Sequence, residues 1–225
     1  MQLKGEMEEK YGAPWLHISR TTLHKTLVDE AVRLGVVFRL GCNVVGIDST
    51  NPKHPAVKIH DGEDIVGDII IGADGVNSVC RSSLLGYPDP AVRSGDMVYR
   101  LTLPSSLLKT HHEVIIRELA TKTNFNYWAG PNGHAVGYLI EGGEKFNIVI
   151  SASDNLPEGF EKGKGDIGEL RERFKGWRGK SFAGLMEMVG EVSVWRLCCG
   201  RELESWSRGR VALVGDASHA MLPYL

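Results

Sequence analysis

Cysteine is scarce: four residues in 225, at positions 42, 80, 198 and 199, with no CxxC pair. That leaves no disulfide framework and no cysteine-based zinc site. Reduced thiols are the default expectation, and with them an intracellular, cytoplasmic setting. Charge of one sign is also missing. The chain has 26 Lys and Arg against 28 Asp and Glu, a net charge of −2 with the signs interspersed. No basic patch points to nucleic acid, and no like-charge run reads as a tail. No apolar run reaches the roughly 18 residues that a membrane span requires. The opening MQLKGEMEEKYG lacks the basic start and apolar centre of a secretory signal. Internal repeats are absent. A strand-linked glycine fingerprint is absent too. Gly163-Lys164-Gly165-Asp166-Ile167-Gly168 fits GxGxxG, but it follows the turn-rich SDNLPEGFEK instead of an apolar strand. Asp216-Ala217-Ser218-His219 offers the residue types of a hydrolase triad. Side chains one apart on a helix do not face each other, and no GxSxG elbow exists.

What is present is a 42% hydrophobic chain, enough for one large or two small domains with a core. RTTLHKTLVDEAVRL (20–34) spaces Leu23, Leu27, Ala31 and Leu34 as one helical face, with Ser19 as N-cap and Gly35 as the stop. VVFRLGCNVVGID (36–48) reads as β, broken at Gly41. Residues 56–60 and 65–71 read as a hairpin around Asp61-Gly62, and the apolar end of 65–71 suggests a strand covered on both faces. From Gly95 the texture changes. MVYRLTLP, EVIIREL, NFNYWAG, HAVGYLI and KFNIVIS follow at short intervals, separated by turn signals. This is a run of antiparallel strands. Residues 166–175 and 181–189 read as helices, VSVWRL (192–197) as a strand, and VALVG (211–215) as a buried parallel strand. The expected fold class is mixed α/β: a partial Rossmann-like region at 1–94 and 196–225, interrupted by an antiparallel-sheet domain at 95–195.

Three stretches carry candidate chemistry. In RVALVGDASHAMLP (210–223) an apolar strand exits through Gly215 into Asp216. An acid at the carboxyl end of a parallel strand can bond a ribose or ribityl hydroxyl, and the helix that follows favours pyrophosphate. Asp216 could equally be a plain N-cap. IIIGADGVNSVCR (69–81) repeats the design, with Asp74 after the strand and Ser78 and Arg81 on one face. Arg81 could serve a phosphate or pair with Asp74. Arg20 opens a helix, where a cation works against the dipole. Either a bound polar group explains it or it is an ordinary surface residue.

In this order, Asp74-Gly75-x-x-Ser78-x-x-Arg81 and Gly215-Asp216-Ala217-Ser218-His219 with Pro223 resemble the DG and GD motifs of the FAD-dependent aromatic hydroxylases, single-component flavoprotein monooxygenases similar to salicylate hydroxylase. YWAGPNGHAVGYLIEGGEKFNIVI (127–150) and LESWSRGRVALVGDASH (203–219) are similar as well, and the likeness runs from about Tyr11 onward. The resemblance implies FAD as cofactor, NAD(P)H as reductant, O2 as oxidant and a small aromatic or phenol-like substrate. It implies Arg20, Asp74 and Asp216 on or near FAD, the Val44 backbone at the adenine and Pro223 by the flavin. It implies Arg100 and Tyr138 on the substrate side: Arg100 to hold a carboxylate or phenolate, Tyr138 to orient or deprotonate a hydroxyl. Both could also be ordinary sheet residues. The chain departs from the family pattern at Ser19, where a His is usual, and at Tyr99, where a Trp is frequent.

The family also opens with a strand–GxGxxG–helix unit of about 30 residues, for which residues 1–19 have no room. The chain therefore reads as the middle of a longer enzyme. The alternative is a non-catalytic fragment or pseudo-enzyme; a nicotinamide-only dehydrogenase would need the strand-linked fingerprint. Asp216, Asp74 and Arg20 alone, at about 1.5–3 kcal/mol per charged bond, scarcely exceed the cost of association. The expected outcome is that protein purified with excess FAD and then desalted is colourless. A near-stoichiometric flavin band would contradict this.

Overall fold

A computed structural model describes residues 4–14, 16–177 and 179–223. Helices α1 (Lys4–Tyr11) and α2 (Arg20–Arg33) come first. Short strands follow, β1 (Val44–Asp48), β2 (Ala56–Ile59), β3 (Ile65–Val66) and β4 (Ile70–Gly72), then helix α3 (Val79–Leu85). The long β5 (Val92–Pro104) leads into α4 (Ser105–Lys109) and α5 (Val114–Leu119). Next come β6 (Asn126–Gly130), β7 (Gly133–Ile140), β8 (Lys145–Ser153) and β9 (Lys162–Lys164). Helices α6 (Ile167–Phe174) and α7 (Lys180–Met188) precede β10 (Ser193–Cys199), β11 (Ser207–Arg208), β12 (Val211–Leu213) and α8 (Asp216–His219). The architecture is mixed α/β with mostly antiparallel sheets. Among the described residues no helix is long and apolar enough to cross a membrane.

The chain divides into two compact units: Met1–Val36 with Gly95–Arg196, and Val37–Ser94 with Leu197–Leu225. The sequence-based division assigned the first helices to the cofactor region. Here they group with the large sheet, because α2 buries none of its own residues while Ser19, Arg20 and His24 line a cavity with β5.

The first unit is built on a six-stranded sheet in the order β6-β7-β8-β5-β10-β9. Strand alternation gives it two faces. Tyr99, Leu101 and Leu103 pair with Ile150, Ile148 and Phe146, and all six are buried. They pack with Leu170 and Phe174 of α6, Phe182 and Leu185 of α7, and Leu108 and Ile116. EVIIREL (113–119), expected as a strand, is helix α5, because Ile116 and Leu119, three apart, bury one helical face in this core. The residues between them, Arg100 and Thr102 of β5, Asn147 and Val149 of β8, and Val136 and Tyr138 of β7, share the opposite face. Tyr99 belongs to the core face. Its hydroxyl donates to Glu169 at 2.6 Å and accepts from Arg173 at 3.1 Å, and burial followed by the Glu169 bond pushes its pKa up to about 12.

The second unit holds a hairpin sheet, β1-β2-β3, and a small sheet, β11-β12-β4. Strands β12 and β4 run parallel, Val211 opposite Ile70 and Leu213 opposite Gly72. Two local expectations are corrected here. Residues 36–43 lie outside any strand, with Gly41 at φ +72°. The run 65–71 is two strands in two sheets: Gly67 still donates its N–H to the Pro55 carbonyl at the end of the β2–β3 ladder, and Ile70 then donates to the Arg210 carbonyl beside β12. Strand β4 is also covered on one face only. Ile70 is buried while Ile69 and Ile71 are exposed, since the local core of Cys80, Leu213 and Ala217 lies on one side.

Candidate functional site

In the second unit, the turn after β4 is organised by Asp74. Its carboxylate accepts from the Ser78 hydroxyl at 2.5 Å and from the Cys80 N–H at 3.0 Å. Ser78 in turn caps α3 by accepting from the Arg81 N–H at 2.8 Å. Burial pushes the Asp74 carboxyl up, but the bonds from Cys80 and Ser78 outweigh it and hold the pKa below the ordinary value. Burial and the Asp74 charge push the Cys80 thiol up to about 12, so it is inert. Gly72 is required at the strand end. A Cβ there would stand 2.6 Å from the Cys80 Cβ and 2.9 Å from Leu213.

Arg81 does not pair with Asp74, nor is it open to a phosphate. Only 2% of it is exposed. Its Nε donates to Asp89 at 2.6 Å, Nη1 to the Ser218 carbonyl at 3.0 Å and Nη2 to the Arg201 carbonyl at 2.6 Å. Asp89 also accepts from Arg201 Nη1 at 2.6 Å. Sequence reasoning missed Asp89, which sits between Pro88 and Pro90 and looks like a turn residue. Burial raises the Asp89 pKa, but Arg201 and Arg81 more than offset that and hold it below the carboxylate norm.

Asp216 follows β12 as the first residue of α8. The N-cap is Gly215, at φ +59°, and it makes no side-chain cap bond. The plain N-cap reading of Asp216 is therefore excluded. Its carboxylate is exposed and has no partner among the described residues. Because β4 and β12 are parallel neighbours, Asp74 and Asp216 follow the same edge of one sheet. Val44 opens β1 opposite Ile59, and Pro223 lies in an exposed turn after α8. Ser218 Oγ donates to the Gly215 carbonyl and the His219 ring lies tilted against Trp206, so the two do not form a nucleophile–base pair. The GxGxxG match is likewise structural: Asp166 caps α6, and a Cβ on Gly165 would meet Val194 at 2.7 Å.

The first unit contains a cavity of about 750 Å³ on the open side of its sheet. Ser19, Arg20 and His24 line it from α2, Arg100 and Thr102 from β5, and Ile140, Glu141 and Lys145 from the end of β7 onward. Arg20 and Arg100 are thus brought together. Arg20 is exposed and has no side-chain partner among the described residues. Arg100 is half-buried, its Nε donating to Asn147 Oδ1 at 3.2 Å. Glu141, another residue missed from the sequence, holds φ +51° and pairs with Lys145 at 2.8 Å. The Lys145 bond is the main reason its carboxyl sits below the usual range. Tyr138 shares the sheet face with Arg100 but does not line the cavity; its ring stacks on Phe125 at 5.7 Å and meets the tilted His17 ring at 4.6 Å.

The FAD binding domain family matches residues 2–225. Over 224 residues the chain is 33% identical to an FAD-dependent monooxygenase, OpS4, of Beauveria bassiana, covering 97% of this chain and 51% of that protein. It is 31% identical over 224 residues to a 3-hydroxybenzoate 6-hydroxylase of Aquipseudomonas alcaligenes, covering 99% of this chain and 54% of that one. A solved salicylate hydroxylase substrate complex superposes with a TM-score of 0.75 at 26% identity, over 88% of this chain and 51% of that one. The chain spans about half the length of the curated relatives it matches.

The buried Arg81–Asp89 pair gives a stability test. Asp89→Ala leaves a buried guanidinium without its counter-charge and should cost about 3–5 kcal/mol in urea unfolding. Removing the exposed Glu30–Arg33 pair with Arg33→Ala should leave the urea midpoint almost unmoved, because solvent screens that pair. Asp74 and Asp89 both have lowered folded pKa values, so their stabilisation is full above the unfolded carboxyl value of about 3.9. It is lost as pH falls below that value and through the lower folded ones. Asp89→Ala should flatten this acid dependence; an unchanged urea midpoint would contradict the assignment.

Proposed function

The chain belongs to the FAD binding domain family, and on that ground we propose that it forms part of an FAD-dependent monooxygenase that hydroxylates a small aromatic or phenol-like compound, with NAD(P)H and O2 as co-substrates. The observation that carries this reading is the exposed, unpartnered Asp216 carboxylate at the end of a parallel strand, on the same edge as the Asp74 turn. An acid so placed fits a ribityl or ribose hydroxyl, which donates to it. The relatives named above are themselves FAD-dependent or act on hydroxybenzoate. Bound FAD would supply the redox chemistry, taking a hydride from NAD(P)H and activating O2.

This chain's residues then do the binding and positioning. Asp216 accepts a cofactor hydroxyl, while Asp74, already bonded to Ser78 and Cys80, keeps the neighbouring turn rigid. The Val44 backbone and Pro223 are the further cofactor contacts. Arg20, an unpartnered cation, is available to an anionic ligand group. Arg100 presents a guanidinium to a substrate oxygen. Tyr138 orients or deprotonates a substrate hydroxyl, its ring stacked on Phe125 and flanked by the tilted His17 ring. Four free thiols fit a reducing, cytoplasmic setting.

The test is equilibrium titration of FAD, followed by flavin fluorescence, into wild-type protein and two variants. Asp216→Ala loses one charge-assisted bond and should weaken FAD binding by about tenfold or more. Arg100→Ala should leave FAD affinity unchanged and weaken aromatic ligand binding. Equal FAD affinity for wild type and Asp216→Ala would overturn the assignment.

A further inference from the structure

Asn147 interrupts an otherwise apolar stretch of β8, Phe146 to Ile150, and is only 1% exposed. Burying an amide is unfavourable unless it is bonded. Its Oδ1 accepts from Arg100 Nε at 3.2 Å. A guanidinium can only donate, so this bond dictates which way the amide is turned: oxygen toward Arg100, NH2 away from it. Asn147 stands opposite Thr102 on β5 and opposite Tyr138 on β7, on the face that carries Arg100. Among the described residues, the terminal nitrogens of Arg100 and the Asn147 amide nitrogen have no hydrogen-bond partner.

The chemical identity of the acceptor matters. An aspartate at 147 would hold Arg100 equally well but would neutralise it. An apolar residue would keep the charge but leave Nε unpaired and the head free to turn. Asparagine holds the guanidinium by a neutral acceptor and leaves its charge available. Glu141 is the only acid lining the cavity among the described residues, and it is engaged by Lys145.

We infer that Asn147 is a positioning and specificity-determining residue. It locks Arg100 side-on so that the terminal guanidinium nitrogens, on the cavity side, receive an anionic oxygen group, carboxylate or phenolate, of an aromatic substrate. The inference rests on Arg100 facing the substrate, as proposed above. It selects anionic over neutral ring substituents, and it makes residue 147 the determinant of that choice.

The test uses the full chain, with benzoate and its neutral analogue benzamide as probes, by titration calorimetry. Wild-type protein should favour benzoate by about tenfold or more, the worth of a charge-assisted bond. Asn147→Asp keeps the Arg100 contact, and so should fold, but the preference should vanish. Asn147→Ala gives a second reading by NMR: the Arg100 Nε–H resonance, protected from water exchange in wild type and in Asn147→Asp, should lose that protection. A purely structural asparagine would alter stability and leave the benzoate-to-benzamide ratio alone. An unchanged ratio in Asn147→Asp, or an unchanged Arg100 Nε–H signal in Asn147→Ala, overturns the inference alone. Wild-type protein that binds neither probe overturns it together with the proposed substrate face.

Discussion

The arrangement of the second unit depends on one buried cation, the Arg81 guanidinium. Taking such a group out of water costs several kcal/mol unless its donors are matched. Here all three nitrogens are matched, by the Asp89 carboxylate and by the Ser218 and Arg201 carbonyls. Those partners come from three places: the loop after α3, the segment after β10, and α8. Arg81 itself sits on α3, whose cap Ser78 is tied to Asp74. The chain of bonds therefore runs from the turn after β4 through Arg81 to the helix after β12. It fixes the two strand exits against each other, and with them the position from which Asp216 points to solvent. The hydrophobic contribution at this point is small, Cys80, Leu213 and Ala217 with a few half-buried neighbours. Polar bonding therefore sets the geometry where packing alone would leave it loose.

The first unit works by a different rule. Its sheet is apolar on one face and mixed on the other, where Arg100, Thr102 and Asn147 lie among Val136 and Val149, and the alternation of β5 separates the two roles residue by residue. Tyr99 spends its hydroxyl inside, on Glu169 and Arg173. Arg100, one residue later, is turned toward the cavity. Rigid packing behind the sheet holds the polar face still, which is what a binding surface needs. Charge in the cavity is left uneven: Lys145 and Glu141 satisfy each other, while Arg20 and Arg100 have no acidic partner.

Local signals in the sequence were strong where the physics is local. Ser19 accepts from the Thr22 N–H at the start of α2, and Gly35 takes φ +83° just beyond its end, as the cap chemistry implied. Four of the five antiparallel strands expected between Gly95 and Ser153 stand close to where turn residues put them, while EVIIREL (113–119) is helix α5, its apolar run serving one helical face. What was illegible is long-range or carried by backbone. Two of the three Arg81 partners are carbonyls, 120 and 137 residues away, and a carbonyl has no sequence signature. Asp89 was hidden by its two flanking prolines. The Asp216 cap reading failed because Gly215 adopts a left-handed conformation and takes the cap position itself. The strand expected at 36–43 depended on apolar content alone, and apolar content without a pairing partner does not make a strand. Asn147 was passed over, although a single amide within an apolar strand is a conflict that demands a partner; that partner, Arg100, stands diagonally across the β5–β8 ladder and is named only by the hydrogen bond.

The central claim is that the shared edge of β4 and β12, steered by Arg81, receives the polar chain of FAD. The most direct measurement is a residue-resolved NMR titration of the protein with FAD, carried to concentrations that load a weak site. The account predicts amide shifts concentrated at Gly72–Gly75 and Gly215–Ser218, growing together along one binding curve. Saturable shifts that leave both strand exits untouched would contradict it.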